Sequence, residues 1–201
     1  IKYNSSGSQQ WKVDQRDNGA RVNAVVQTSD GGYIVGTGTD STSRGYLIKY
    51  NSSGSQQWKV DQRDNGARVN AVVQTSDGGY IVGTGTDSTS RGYLIKYNSS
   101  GSQQWKVDQR DNGARVNAVV QTSDGGYIVG TGTDSTSRGY LIKYNSSGSQ
   151  QWKIDQRDNG ARVNAVVQTS DGGYIVGIGT ESTSRGYLIK YNSSGSQQWK
   201  V

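Results

Sequence analysis

A chain of 201 residues with no Cys, His, Met, Pro or Phe excludes disulfides, thiolate zinc sites and histidine-based catalysis. Only 30% of its residues are hydrophobic and 29 are Gly, a composition close to low complexity. Short alternating apolar runs separated by turn signals point instead to a folded all-β protein. The formal charge of +6 is built up evenly: the first period carries Lys2, Lys12, Arg16, Arg21 and Arg44 against Asp14, Asp17, Asp30 and Asp40. Charge spread in this way predicts a solvated surface and no nucleic-acid partner, since nucleic-acid surfaces cluster Lys and Arg. No apolar run approaches the ~18–20 residues that span a bilayer, so membrane insertion is not expected. The chain opens on Ile1 rather than Met, which reads as a processed product or a window from something longer.

The sequence repeats almost letter for letter: Trp11 returns as Trp58, Trp105, Trp152 and Trp199. Three positions vary. Ile154 stands where other copies have Val, Ile178 where they have Thr, and Glu181 where they have Asp, and each swap reads as conservative.

Within one period, four strands are expected. Strand D covers 10–14, with Trp11 and Val13 on one face. Strand A covers 21–28, with Val22, Ala24 and Val26 together. Strand B covers 33–39, with Tyr33, Val35 and Thr37 opposed to Ile34, Gly36 and Gly38. Strand C covers 46–50, with Tyr46, Ile48 and Tyr50 opposed to Leu47 and Lys49. Ser29-Asp30-Gly31-Gly32 is a tight-turn sequence, and the other connectors are too short for parallel crossovers. One period is therefore a four-stranded antiparallel meander. Apolar residues on both of its faces require a neighbour on each side, which radial packing of blades supplies. The expected units are a partial blade over 1–13 and blades over 14–60, 61–107, 108–154 and 155–201. The glycines of strand B would let adjacent sheets approach closely.

The stretch VQTSDGGYIVGTGT…GYLIKYNSSGSQQWKV resembles a family of bacterial and archaeal extracellular β-propeller repeats, in which a QTSDGGYIV strand pair is followed by YLIK and a terminal Trp. The resemblance covers every repeat and implies secreted or surface-attached proteins without a catalytic set. It departs at Tyr50-Asn51, where the family often has an acidic residue.

Residues 1–13 and 189–201 are identical, giving five C–D pairs against four A–B pairs. A window from a longer array, a deliberate overlap and an intermolecular patch each account for this. Scattered conservative swaps favour the array over a designed symmetric propeller scaffold.

Every Asp falls at a turn or strand end, where it caps backbone groups, so no enzyme and no cofactor or metal is expected. Asp14 to Gly19 reads as a turn rather than a calcium loop. The Asn-Ser-Ser sequons at Asn4, Asn51, Asn98, Asn145 and Asn192 lie in the C–D turn and are candidate N-glycosylation sites. Ser41, Thr42 and Ser43 are weaker O-glycan candidates. Trp11, Trp58, Trp105, Trp152 and Trp199 are candidates for inter-blade packing or sugar stacking. The expectation is an extracellular structural protein that self-associates into a fibre, spacer or surface assembly. A multivalent carbohydrate-binding lectin or adhesin is the alternative.

Overall fold

The computed structural model describes residues 1–19, 21–39, 44–86, 91–133, 138–157, 162–180 and 185–201. Ser41, Thr42, Ser43 and Glu181 lie outside them. Strands β1 (Lys2–Tyr3) and β2 (Gln9–Trp11) form a two-stranded antiparallel sheet. The first four-stranded sheet is β3 (Val22–Gln27), β4 (Tyr33–Thr37), β5 (Tyr46–Tyr50) and β6 (Gln56–Asp61). The second is β7 (Val69–Gln74), β8 (Tyr80–Thr84), β9 (Tyr93–Tyr97) and β10 (Gln103–Asp108). The third is β11 (Val116–Gln121), β12 (Tyr127–Thr131), β13 (Tyr140–Tyr144) and β14 (Gln150–Asp155). The fourth is β15 (Val163–Gln168), β16 (Tyr174–Thr180), β17 (Arg185–Tyr191) and β18 (Gln197–Lys200). Each is an antiparallel meander in sequence order, the all-β repeat of four-stranded sheets that the alternation predicts.

The turn from β3 to β4 shows why the meander forms. Thr28 N–H donates to the Gly32 carbonyl at 2.9 Å, and Gly31 takes a φ of 78° that a side chain would resist. The Asp30 carboxylate accepts from Gly32 N–H at 2.9 Å, so this Asp caps the turn as expected. Between β6 and β7 the Asp-Gln-Arg-Asp-Asn stretch forms a short 3-10 turn over Arg63–Asn65 and carries the chain to the next sheet.

The core lies between sheets, not within them. Ala24, Val26, Ile34, Leu47 and Val60 of the first sheet pack on Val69, Val72, Tyr80, Val82 and Ile95 of the second. The same contact recurs between the second and third sheets and between the third and fourth. β3 packs beside β7, β7 beside β11 and β11 beside β15; among the described residues no comparable contact returns β15 to β3.

Two expectations are corrected. Val22 does not share a face with Ala24 and Val26. A register shift between Val22 and Ala24 turns Val22 to the side of Val25, while the Asn23 amide, inside the shift, donates to the Gly38 carbonyl at 2.8 Å. This is a β-bulge, and one extra residue reverses the alternation.

The Thr-to-Ile swap at 178 is not conservative either. In the first three sheets a threonine hydroxyl accepts the backbone N–H of the tyrosine that opens the third strand, as Thr84 Oγ1 does from Tyr93 at 3.1 Å. Strand pairing there stops at Gly83 opposite Leu94. Ile178 has no hydroxyl to intercept the amide. Pairing between β16 and β17 runs on through Ile178–Tyr187 and Gly179–Gly186 to Thr180–Arg185.

Candidate interaction surfaces

The tryptophans sit at the outer edge of each inter-sheet contact. Trp11 meets Tyr33 of the first sheet edge-on, with ring centroids 5.5 Å apart, and its Nε1–H donates to the Ser52 carbonyl at 3.1 Å. Gly54 lies against the same indole, because a Cβ there would come within 2.9 Å of the ring. Trp58, Trp105 and Trp152 repeat the contact on Tyr80, Tyr127 and Tyr174. Among the described residues no sheet follows Trp199, which is 42% exposed.

The five sequon asparagines occupy one turn geometry. Asn51 Oδ1 accepts from Ser53 N–H at 3.1 Å, Ser55 N–H at 2.9 Å and Ser53 Oγ–H at 2.8 Å. Asn4, Asn98, Asn145 and Asn192 repeat this set. The carbonyl oxygen is engaged by the turn, and the serines after each Asn are exposed.

Two kinds of polar residue that carry the architecture were not singled out by sequence reasoning. The glutamine of each connector reaches into the following sheet: Tyr97 O–H donates to Gln62 Oε1 at 3.0 Å, and Gln109 Nε2–H donates to the Tyr144 hydroxyl at 2.9 Å. Gln62, Gln109 and Gln156 are fully buried. Burial pushes the Tyr97 and Tyr144 phenols above their ordinary pKa, against the opposing effect of these hydrogen bonds. The lysine of the third strand is also buried. Lys49, Lys96 and Lys143 each hold the turn aspartate of their own sheet at 2.8–2.9 Å. Burial alone would raise the Asp77 carboxyl; hydrogen bonds from Lys96, Thr75 and Gly79 outweigh it and bring it to about 2.

The expectation of an evenly solvated charge is corrected on the inner side. Arg21, Arg68, Arg115 and Arg162, with the asparagines two residues beyond each, line one open cavity of about 380 Å³. Residues spaced along the sequence converge because each first strand faces the same axis. Among the described residues no cluster of three or more His, Cys, Asp or Glu is placed to hold a metal.

A second cavity, of about 510 Å³ and mainly apolar, opens on the first sheet. Val22 and Val25 line it and are 46% and 62% exposed, whereas their counterparts Val69 and Val72 are buried under the preceding sheet. The far face of the fourth sheet is open in the complementary way. Val167, Leu188 and Val201 are exposed there, and Leu47, Leu94 and Leu141 at the position of Leu188 are completely buried.

The sequence matches no protein-family model and no curated protein. Solved structures do match. A Bacteroides caccae protein of unknown function aligns over 90% of this chain and 60% of its own, at 14% identity and a TM-score of 0.61. The β-propeller domain of the Trilobed protease from Pyrococcus furiosus, which has an open velcro topology, aligns over 90% of this chain and 58% of its own, at 8% identity and a TM-score of 0.53. A luciferin-regenerating enzyme aligns over 90% and 62%, at 12% identity and a TM-score of 0.57. The chain thus spans about three fifths of the length of these structures. At such identities the likeness is one of fold: the four sheets are β-propeller-type blades.

Proposed function

We propose that this chain is an extracellular structural repeat protein, whose propeller-type blades associate end to end into a fibre, spacer or surface assembly. The observation that carries the reading is the pair of open faces. The face of the first blade and the far face of the fourth are the two sides of a contact that the chain makes internally three times. Head-to-tail contacts of this kind close into rings or extend as filaments, depending on the rotation per step. The sequon turns support the exterior location, since they present a candidate acceptor at every blade without involving the core. The tryptophans that would serve a lectin are, in four of five copies, spent on the neighbouring blade.

Electron microscopy of native material tests the reading. Filaments or rings built from a constant blade spacing support it, and isolated single chains at every concentration sink it. Mass spectrometry of the same sample reads glycan occupancy at Asn51 and its copies.

A further inference from the structure

Residues 1–13 occupy the outer half of the face that, on each later blade, the preceding blade covers. β1 and β2 lie on the first blade as the third and fourth strands of each blade lie on the next. Trp11 sits 5.5 Å from Tyr33, against 5.7 Å for Trp58 and Tyr80, and Val13 packs on Val35, Ile48 and Tyr50. The inner half of the seat, where Ala24, Val26 and Ile34 cover the second blade, is on the first blade the 510 Å³ apolar cavity beside Val22 and Val25.

The fourth blade carries both halves of the missing cover. Val167 and Leu188 are exposed on its far face, and residues 189–201 repeat residues 1–13 letter for letter. The polar edge matches too. Ser29 N–H donates to Gln74 Oε1 at 2.8 Å across the first contact, and the same pair recurs at Ser76–Gln121 and Ser123–Gln168. Ser170 and Gln27 are the remaining members of that series, one at each open end. Gly177 is shaped for the same contact. A Cβ at Gly36, Gly83 or Gly130 would strike the valine of the next blade, whereas at Gly177 it meets, among the described residues, only the Ala165 methyl at 3.7 Å.

Resting on the reading of end-to-end assembly, we propose that residues 1–13 are an exchangeable plug, displaced when the fourth blade of a second copy of this chain docks on the first blade. The incoming β15 and β16 fill the cavity. Incoming β17 and β18 take the place of β1 and β2, because two identical strand pairs cannot occupy one seat. Trp199 of the incoming copy then takes the position of Trp11 against Tyr33. The plug thereby competes with assembly: it covers apolar surface in the single chain and sets the concentration at which chains join.

Sedimentation velocity over a concentration series of the full chain tests this, with Trp11→Ala, Gly177→Val and Trp199→Ala beside it. Thermal melts establish that each variant is folded. Loosening the plug with Trp11→Ala is expected to tighten association by roughly tenfold or more, since burial of a tryptophan no longer opposes exchange. Gly177→Val, which meets little among the described residues of the single chain, is expected to abolish association both alone and combined with Trp11→Ala. Trp199→Ala is expected to weaken it without lowering the melting temperature of the single chain. Equal association of the parent and Trp11→Ala, with loss on Gly177→Val, would overturn the exchange while leaving end-to-end docking intact. Association that ignores Gly177→Val would overturn the exchange and place the contact elsewhere. No association by any variant would overturn both the exchange and the assembly reading.

Discussion

Lys96 and Asp77 meet at 2.8 Å with an uneven burial: the lysine side chain is 4% exposed and the aspartate 58%. The ammonium is the desolvated partner, and its other neighbour is the Tyr97 carbonyl at 3.2 Å. The carboxylate lies at the rim and also caps the turn through Gly79 N–H. Lys49–Asp30 and Lys143–Asp124 repeat the arrangement, so each blade ties its first turn to its third strand.

Removing the two partners should therefore not cost the same. Asp77→Ala leaves a buried ammonium without its counter-charge and is expected to destabilise by ~3–5 kcal/mol. Lys96→Met keeps the apolar stem and leaves the carboxylate facing water, for a loss of about 1 kcal/mol. Asp77→Asn, which retains an acceptor for Gly79, separates the charge from the turn. Urea unfolding of the three variants checks the order, and equal losses for Asp77→Ala and Lys96→Met would refute the asymmetry.

Acid should expose the same interaction. Asp77 and Asp124 lie at about 2 in the folded chain, below the ordinary 3.8; for each, burial acts upward and is outweighed by hydrogen bonds from the lysine, threonine and glycine beside it. Asp30 is also held well below the usual carboxylate range, first by the Lys49 hydrogen bond. A folded pKa below the unfolded one means that the unfolded chain binds protons first. The stabilisation is then complete above the unfolded pKa of ~3.9 and lost as pH falls toward 2. The urea midpoint should be flat at mildly acidic pH and drop between about pH 4 and 2. Lys96→Met should flatten that drop, and an unchanged slope would detach it from the lysine pairs.

Much of this architecture is legible in the sequence because it is local. The alternation of Tyr33, Val35 and Ile48 with their opposite neighbours, and the Asp-Gly-Gly turns, specify strands and hairpins without reference to the rest of the chain. What escaped depends on distance. Lys49 stands at an ordinary alternate position, and only the return of the strand beside the turn reveals Asp30 as its partner and burial as its fate. The four axial arginines look evenly spread along the chain and converge only when blades are set around an axis. Gln62 looks like any loop glutamine until the connector brings it to Tyr97 of the following blade. The bulge at Val22 was missed because one extra residue leaves a strand-like pattern in place while exchanging the faces.

The hairpin of the fourth blade tests how much one hydroxyl decides. Ile178→Thr should restore the acceptor that Thr84 offers Tyr93, ending the β16–β17 ladder near Gly177. Amide exchange at Thr180 and Arg185 is expected to accelerate by roughly tenfold or more as that end of the ladder opens, whereas the Gly179 N–H, which donates to the Arg162 carbonyl, should keep its protection. Global stability should change by less than about 2 kcal/mol, because a buried ethyl group is traded for a hydroxyl and its hydrogen bond. Unchanged protection at Thr180 and Arg185 would remove Ile178 as the cause of the longer ladder.

Gly83 and Gly177 hold the same place in their strands and differ only in what faces them. A Cβ on Gly83 would fall inside the Val116 side chain and within 2.9 Å of its Cβ, whereas one on Gly177 meets, among the described residues, only the Ala165 methyl at 3.7 Å. Gly83→Ala must then separate two blades or distort Val116, at a cost of ~1–3 kcal/mol. Gly177→Ala meets no such wall. It should be neutral or stabilise the single chain by ~0.4–1 kcal/mol, through the restricted unfolded state. Thermal melts of both variants, under conditions where the chain is monomeric, measure the difference directly. A large loss at Gly177 would mean that strand geometry, not the neighbouring blade, demands glycine there, and a small loss at Gly83 would mean that the blades yield to a methyl group.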